Sequence, residues 1–152
     1  MLKAVIVCGS RKWTDKEQIR TLIKALPFDC VVIEGRAQGA DLIAEEICDE
    51  LHHPFEPFPA DWDNISRPGA VVRKNRFGKP YDAAAGPFRN RQMLDRLLKD
   101  APNIRVFAFH EDFDRSKGTK DMVKIAMKAK VPCTVIDLSA DDEPREIPLD
   151  TL

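Results

Sequence analysis

No apolar run in this chain approaches the roughly 20 residues that a helix needs to cross a bilayer. The apolar part of the opening MLKAVIVCGSRKW is too short for a signal peptide. Neither sign of charge dominates: the formal net charge is -1, so nothing global calls for nucleic acid, and any basic patch has to be local. Cys8, Cys30, Cys48 and Cys133 form no C-x-x-C pair, and three of them sit in apolar runs where cysteine acts as a small hydrophobe. That spacing argues against both a zinc site and a disulfide framework. The first glycine turn, GSRKWT, lacks the further glycines of G-x-G-x-x-G, and no G-x-x-x-x-G-K-[ST] occurs, so ordinary dehydrogenase and P-loop NTPase readings fall. Internal repeats and low-complexity tracts are missing as well. Together these absences predict a cytoplasmic protein with no membrane partner, no metal and no cofactor.

What remains is a chain of 152 residues, 43% apolar and 32% charged, enough for one domain with its own core. Short β-branched runs alternate with longer amphipathic segments. Strands are predicted at Lys3–Cys8, Cys30–Glu34, Phe55–Phe58, Ile104–His110 and Cys133–Leu138. Helices are predicted from a Thr14–Glu17 capping box to about Leu26, and over Asp41–Leu51, Gly86–Asp100 and Thr119–Lys130. The prolines around Phe55–Phe58 suit an edge strand. Such alternation calls for an α/β fold, a three-layer, Rossmann-like, doubly wound parallel sheet of about five strands in the order 3-2-1-4-5. Residues 1–138 form this single domain. Residues 139–152 are an acidic tail with Pro144 and Pro148, expected to pack loosely.

The connection at 60–85 is too long for a compact domain unless it has a purpose or is simply solvated. Its segments on either side of Phe77-Gly78 can pair as a hairpin. It is either a solvated excursion or a flap or oligomer contact carrying Arg73, Lys74, Arg76 and Lys79.

Parallel strands end on one edge, where such sheets bind ligands. Four turns converge there: Gly9-Ser10-Arg11, Gly35 through Asp41, Gly86 through Asn90, and the polar loop leading to Gly118-Thr119. Glycine lets backbone approach a ligand, helix starts offer unpaired N–H groups, and arginine supplies a planar fork for phosphate oxygens. A phosphorylated ligand, above all a nucleotide, fits this combination.

The stretches VIVCGSRKWTD, VIEGRAQGADLIAEE, FPADW, AAGPFRNRQML and FAFHEDFDRSKGTKDMVKIAMKAKVP resemble the YspA-like, YpsA-related branch of the SLOG superfamily. That superfamily also takes in LOG phosphoribohydrolases and DprA/Smf DNA-processing proteins. The resemblance runs from about Lys3 to Leu138 and implies a Rossmann-like fold that binds nucleotides or nucleotide-derived ligands. It matches Gly9, Ser10 and Arg11 to the family's first turn, and Glu34, Gly35, Gly39, Ala40 and Asp41 to an E-G-x-x-x-G-A-D block. Arg89, Asn90 and Met93 match R-N-x-x-M, whose arginine belongs to the LOG active site. Gly118 and Thr119 match the end of the LOG motif P-G-G-x-G-T-x-x-E. Both leading glycines of that motif are absent here, and Met122 stands where LOG enzymes carry a catalytic glutamate. Asp121 is adjacent, turned by about 100° around the helix.

Individual residues keep a functional and a plain reading. Arg89 and Asn90 would contact phosphate or ribose, or solvate a helix start. Ser10 would meet phosphate through its hydroxyl or N–H, or make a turn, and Arg11 would clamp an anion or lie along the next helix. Glu34 would serve a ribose hydroxyl or N-glycosidic cleavage, or pair with Arg36 or a backbone N–H. Asp41 favours capping its helix. Ser116 and Thr119 would donate to phosphate, with Thr119 also a plain cap. His110 is a proton carrier or a bonded structural histidine. Trp13 and Trp62 favour core packing over stacking on a base, and His52-His53 suits a helix end without metal.

The expected function is binding, or sensing, of a nucleotide or nucleotide-derived ligand. The alternatives are a LOG-like N-glycosidic hydrolase, with Glu34, Arg89 and Asp121 as its catalytic candidates, and DprA-like binding of single-stranded DNA, which is possible but not favoured. LOG-type relatives also suggest a homodimer.

Overall fold

Alternation along the first strand sets up the architecture. The computed structural model describes residues 1–136 and, as backbone, 144–146. Its elements in chain order are β1 (Ala4–Gly9), α1 (Lys16–Ala25), β2 (Val31–Glu34), α2 (Ala40–Glu50), β3 (Phe55–Pro57), β4 (Val72–Lys74), β5 (Pro80–Asp82), α3 (Ala85–Leu98), β6 (Ile104–Phe109), α4 (Gly118–Lys128), β7 (Cys133–Ile136) and β8 (Pro144–Glu146). In β1, Ala4, Ile6 and Cys8 pack with Met93, Leu97, Met122 and Val123 of α3 and α4. Val5 and Val7 point the other way, to Ile19, Ile23, Ile43 and Ile47 of α1 and α2. Both faces are covered, which is why β1 is an unbroken apolar run.

The main sheet has the order β3-β2-β1-β6-β7-β8. Its first five strands pair in parallel, so the predicted five-strand order is borne out, with β3 at one edge. A sixth strand, β8, pairs antiparallel with β7 and is not foreseen by the sequence reading. The expectation of a loose tail otherwise concerns residues outside those described, as does the predicted extension of the fifth strand through Asp137 and Leu138. Among the described residues, no helix is long and apolar enough to cross a membrane.

Local chemistry moves several boundaries. The first helix is capped by Asp15, not Thr14: its carboxylate accepts from the N–H groups of Glu17 and Gln18 at 3.1 and 3.3 Å. Trp13 is buried, edge-on to Phe109, and donates through Nε1 to the Asp15 carbonyl, so its packing role holds. His53 donates through Nε2 to the Cys30 carbonyl, a structural contact between the end of α2 and the start of β2.

The long connection contains the foreseen hairpin, β4 against β5. Its foundation is Asp82, which is fully buried. That carboxylate accepts from Arg67 at 2.9 and 3.0 Å and from the N–H groups of Val71 and Ala84. Arg67 also lies over the Phe88 ring at 4.2 Å. Arg73, Lys74, Arg76 and Lys79 are exposed, and Lys79 pairs with Asp63 at 3.4 Å.

Candidate functional site

The chain crosses from one side of the sheet to the other between β1 and β6, and a cavity of about 620 Å³ opens at the C-terminal ends of these strands. This is the switch point where open α/β sheets bind ligands. Gly9, Ser10 and Arg11 come from the end of β1 and His110 from the end of β6. Asp41 comes from α2, Arg89 and Asn90 from α3, and Ser116, Gly118, Thr119, Asp121 and Met122 from α4 and its approach. Trp62, from the insertion, closes part of the rim. A smaller hollow of about 290 Å³ adjoins it and takes in Gly35, Arg36 and Gln38. Arg11, Ala37, Trp62 and Arg89 line both.

Three helices start at this cavity with no bond from an N-cap side chain: α2 after Gly39, α3 after Ala84 and α4 after Lys117. Part of each of two starts is already occupied: the Ser10 and Ala37 carbonyls take the Ala40 and Leu42 N–H groups of α2, and the Ser116 hydroxyl takes the Lys120 N–H of α4. The helix that starts elsewhere, α1, is capped by Asp15. The first-turn N–H groups left open at the cavity carry a partial positive charge that favours anions. Lys117, which sequence reading passed over, adds an exposed cation on the wall. Its position directly before Gly118-Thr119 was the available signal.

Arg89 is held from three sides. Its Nη1 donates to the carbonyls of Gly35 and Phe58 at 2.6 and 3.3 Å, and its Nε donates to Asn90 Oδ1 at 3.1 Å. Burial lowers its pKa, and the nearby Asp41 counteracts that. Asn90, itself buried, donates onward from Nδ2 to Asp121 Oδ2 at 2.9 Å and to the Gly118 carbonyl at 3.4 Å. A hydrogen-bonded chain therefore runs Arg89–Asn90–Asp121 along the cavity wall. The turn of about 100° that separates Asp121 from Met122 does not carry Asp121 away from the cavity. Met122 lines the cavity too, with almost none of its surface exposed to solvent.

Asp41 does not cap its helix. It lies inside the first turn of α2, and its Oδ2 accepts from the N–H groups of Gly35 and Ala37 at 3.2 and 3.3 Å. Burial raises its pKa to about 6, against the pull of Arg89, those two N–H groups and Arg11. Gly39 has φ of 84°, a conformation that favours glycine, and a Cβ there would strike the Ser10 carbonyl. Ala40 is fully buried and donates its N–H to that same carbonyl at 3.1 Å. Gly39 and Ala40 therefore lock two turns together behind the cavity.

The groups of Ser10 expected to meet phosphate have partners within the protein. Its N–H donates to the Phe109 carbonyl at 2.8 Å and its hydroxyl to Glu111 Oε1 at 2.8 Å. Burial pulls the Glu111 pKa up, but its own N–H, the Ser10 hydroxyl, His110 and Lys12 hold it below the usual value. Similarly, the Ser116 hydroxyl donates to the Phe113 carbonyl and accepts from the Lys120 N–H. His110 Nδ1 accepts from the Asp112 N–H at 2.8 Å, which leaves a proton for Nε2 in the neutral ring.

Glu34 lines neither hollow. Its carboxylate is fully buried, and Oε1 accepts from the Arg36 N–H at 2.7 Å, the structural alternative foreseen for it. Burial raises its pKa to about 8, opposed by that N–H and reinforced by Glu45 and Asp41. Among the described residues, no group of histidine, cysteine and carboxylate side chains could hold a metal ion.

Residues 3–64 match the model of the YspA, cpYpsA-related SLOG family, which bears out the resemblance over the first two β–α units and the start of the insertion. Arg89, Asn90, Gly118 and Thr119 lie beyond the matched residues. Among solved structures, the chain is similar to DNA processing protein A (DprA) from Streptococcus pneumoniae, at 18% identity and a TM-score of 0.66. The likeness covers 93% of this chain but only 52% of that one, so the chain spans about half the length of its neighbour. It supports the doubly wound fold. No curated protein matches the chain.

Proposed function

We propose that the chain binds a nucleotide or nucleotide-derived phosphorylated molecule in the cavity at the switch point, as a binding or sensing domain. The observation that carries this reading is the meeting of three helix starts at one cavity, with the N–H groups of Gly86, Gly118 and Thr119 open beside Arg89 and Lys117. The N–H groups of Gly118 and Thr119 in α4 and of Gly86 in α3 supply backbone donors for a phosphoryl group, while Pro87 has no N–H. Asn90, Asp41 and Asp121 offer the mixed donors and acceptors that ribose hydroxyls require. Trp62 presents a partly exposed ring at the rim for a base.

A test is thermal melting with a panel of adenosine and guanosine mono- and diphosphates at millimolar concentration. A ligand at about 100 times its Kd stabilises the folded state by about 2.7 kcal/mol. The wild type should therefore melt several degrees higher, and the surface variant Lys117→Glu should lose most of that gain. No shift with any nucleotide would remove the reading.

Hydrolysis of an N-glycosidic bond is the second reading, favoured by two carboxylates, Asp41 and Asp121, that line the same cavity. A carboxyl group with a pKa near 6 suits a proton donor at neutral pH. Met122 in place of the LOG glutamate, and the displacement of Glu34 from the cavity, weigh against it. Release of ribose 5-phosphate from AMP, reduced about 100-fold or more in Asp121→Asn, would support it. Single-stranded DNA binding, the DprA-like alternative, would rest on the exposed hairpin cations, none of which lines the cavity.

A further inference from the structure

The smaller hollow has a charge character of its own. Three arginines line it, Arg11, Arg36 and Arg89, and no carboxylate does. The larger cavity instead mixes Asp41 and Asp121 with its cations. The Arg36 guanidinium reaches Glu45 through Nε at 2.9 Å, and the Arg11 side chain has no hydrogen bond or ion pair among the described residues. Arg89 stands at the junction with its Nη1 spent on carbonyls. After burial, Arg11 is the group that pulls the Arg89 pKa further down, which marks the two guanidiniums as near neighbours of like charge. Convergence of like charges costs free energy that an anion between them would offset.

Gly35 shows how closely this arrangement is built. A Cβ at that position would collide with the Arg89 guanidinium and come within 2.9 Å of Asp41 Oδ2. The backbone of the β2–α2 turn is thereby brought against the arginine, and its peptide forms the floor of the hollow. Trp62, shared with the larger cavity, forms a common side wall. The two hollows are compartments of one cleft, divided at Arg89.

Resting on the reading of the larger cavity given above, we propose that the arginine-lined hollow takes a second phosphoryl group. The ligand class is then a nucleotide with two phosphoryl groups, a nucleoside diphosphate or its pyrophosphate-linked derivative, and not a monophosphate. The nucleoside and first phosphoryl group occupy the larger cavity, and the second passes Arg89 to meet Arg11 and Arg36. Guanidinium forks match phosphoryl oxygens in pairs, which suits two arginines converging on one group.

The test is isothermal titration of the intact chain with AMP, ADP, GMP, GDP and inorganic pyrophosphate. It would be done on wild type, Arg36→Gln and Gln38→Glu, with Lys74→Glu on the distant hairpin as a control. Arg36 and Gln38 line the smaller hollow and not the larger, and both are exposed, so the fold should tolerate their replacement. The expected result is a diphosphate bound at least tenfold more tightly than its monophosphate. That advantage should vanish in Arg36→Gln and Gln38→Glu, monophosphate affinity should stay within twofold, and Lys74→Glu should change nothing. Equal affinity for mono- and diphosphate, or an advantage that survives in both hollow variants or falls equally with Lys74→Glu, overturns the second site and leaves the nucleotide reading standing. Failure of every compound to bind overturns both.

Discussion

Arg89 and Asp41 hold the same residue from opposite ends: Arg89 Nη1 donates to the Gly35 carbonyl at 2.6 Å, and Asp41 Oδ2 accepts from the Gly35 N–H at 3.2 Å. A cation from α3 and an anion from α2 are thereby fixed relative to each other by one peptide at the end of β2. The clasp fixes how the two hollows meet.

Gly35→Ala follows directly. The added methyl would collide with the Arg89 guanidinium, a long side chain that can move only by leaving its carbonyl partners. Overpacking of this kind costs about 1–3 kcal/mol. Thermal melting should show that loss, and nucleotide-induced stabilisation should disappear along with it. A variant that melts and binds like wild type would mean that the clasp has no role in the site.

Stability should depend on pH through Asp41 and Glu34. Asp41 has its folded pKa raised to about 6, so the stability it contributes is complete below its unfolded value near 4 and is lost as pH rises through about 6. Glu34 extends the decline toward pH 8, where its own raised pKa lies. Asp41→Asn keeps an oxygen for the two N–H groups, so it should flatten the slope between about pH 4 and 6, and Glu34→Gln should flatten the upper part. Denaturant titrations across pH 4–8.5 would check this. Variants with the same slopes as wild type would contradict it.

How far these features could be read in advance differs by element. Unbroken apolar runs such as AVIVC announce a strand covered on both faces, and glycine at the end of β1 and just after β2 marks the ligand edge. For Glu34, parity favours the structural alternative, its bond to the Arg36 N–H. Alternation puts it on the same face as Val32, toward α1 and α2, so the strand end carries its side chain away from the cavity. Asp41 at the head of a helix looks like a cap, but its partners lie backward in a turn whose path depends on Gly39 and the Ser10 carbonyl. Three-residue β8 sits in an acidic, proline-bearing stretch, and only its pairing with β7 makes it a strand.

The two tryptophans can be told apart. Trp13 is buried against Phe109, whereas Trp62 is 37% exposed at the rim of both hollows. With Trp13→Phe, fluorescence comes from Trp62 alone, and nucleotide should quench it in a saturable way. Unchanged emission at saturating nucleotide would place the base elsewhere.

The insertion depends on Asp82. Asp82→Ala leaves Arg67 and the N–H groups of Val71 and Ala84 without their acceptor. Limited proteolysis should then cut within 63–80 much faster than in wild type, while the sheet core stays protected. Equal cleavage rates would show that the hairpin is held by other contacts.

The most direct measurement is an amide NMR titration of the whole chain with ADP. The binding account predicts saturable shifts at Gly9, Arg11, Gly35, Gly118 and Thr119 and at the Asn90 side-chain amide, with the hairpin at 72–82 unmoved. Absence of saturable shifts, or shifts confined to the hairpin, would contradict it.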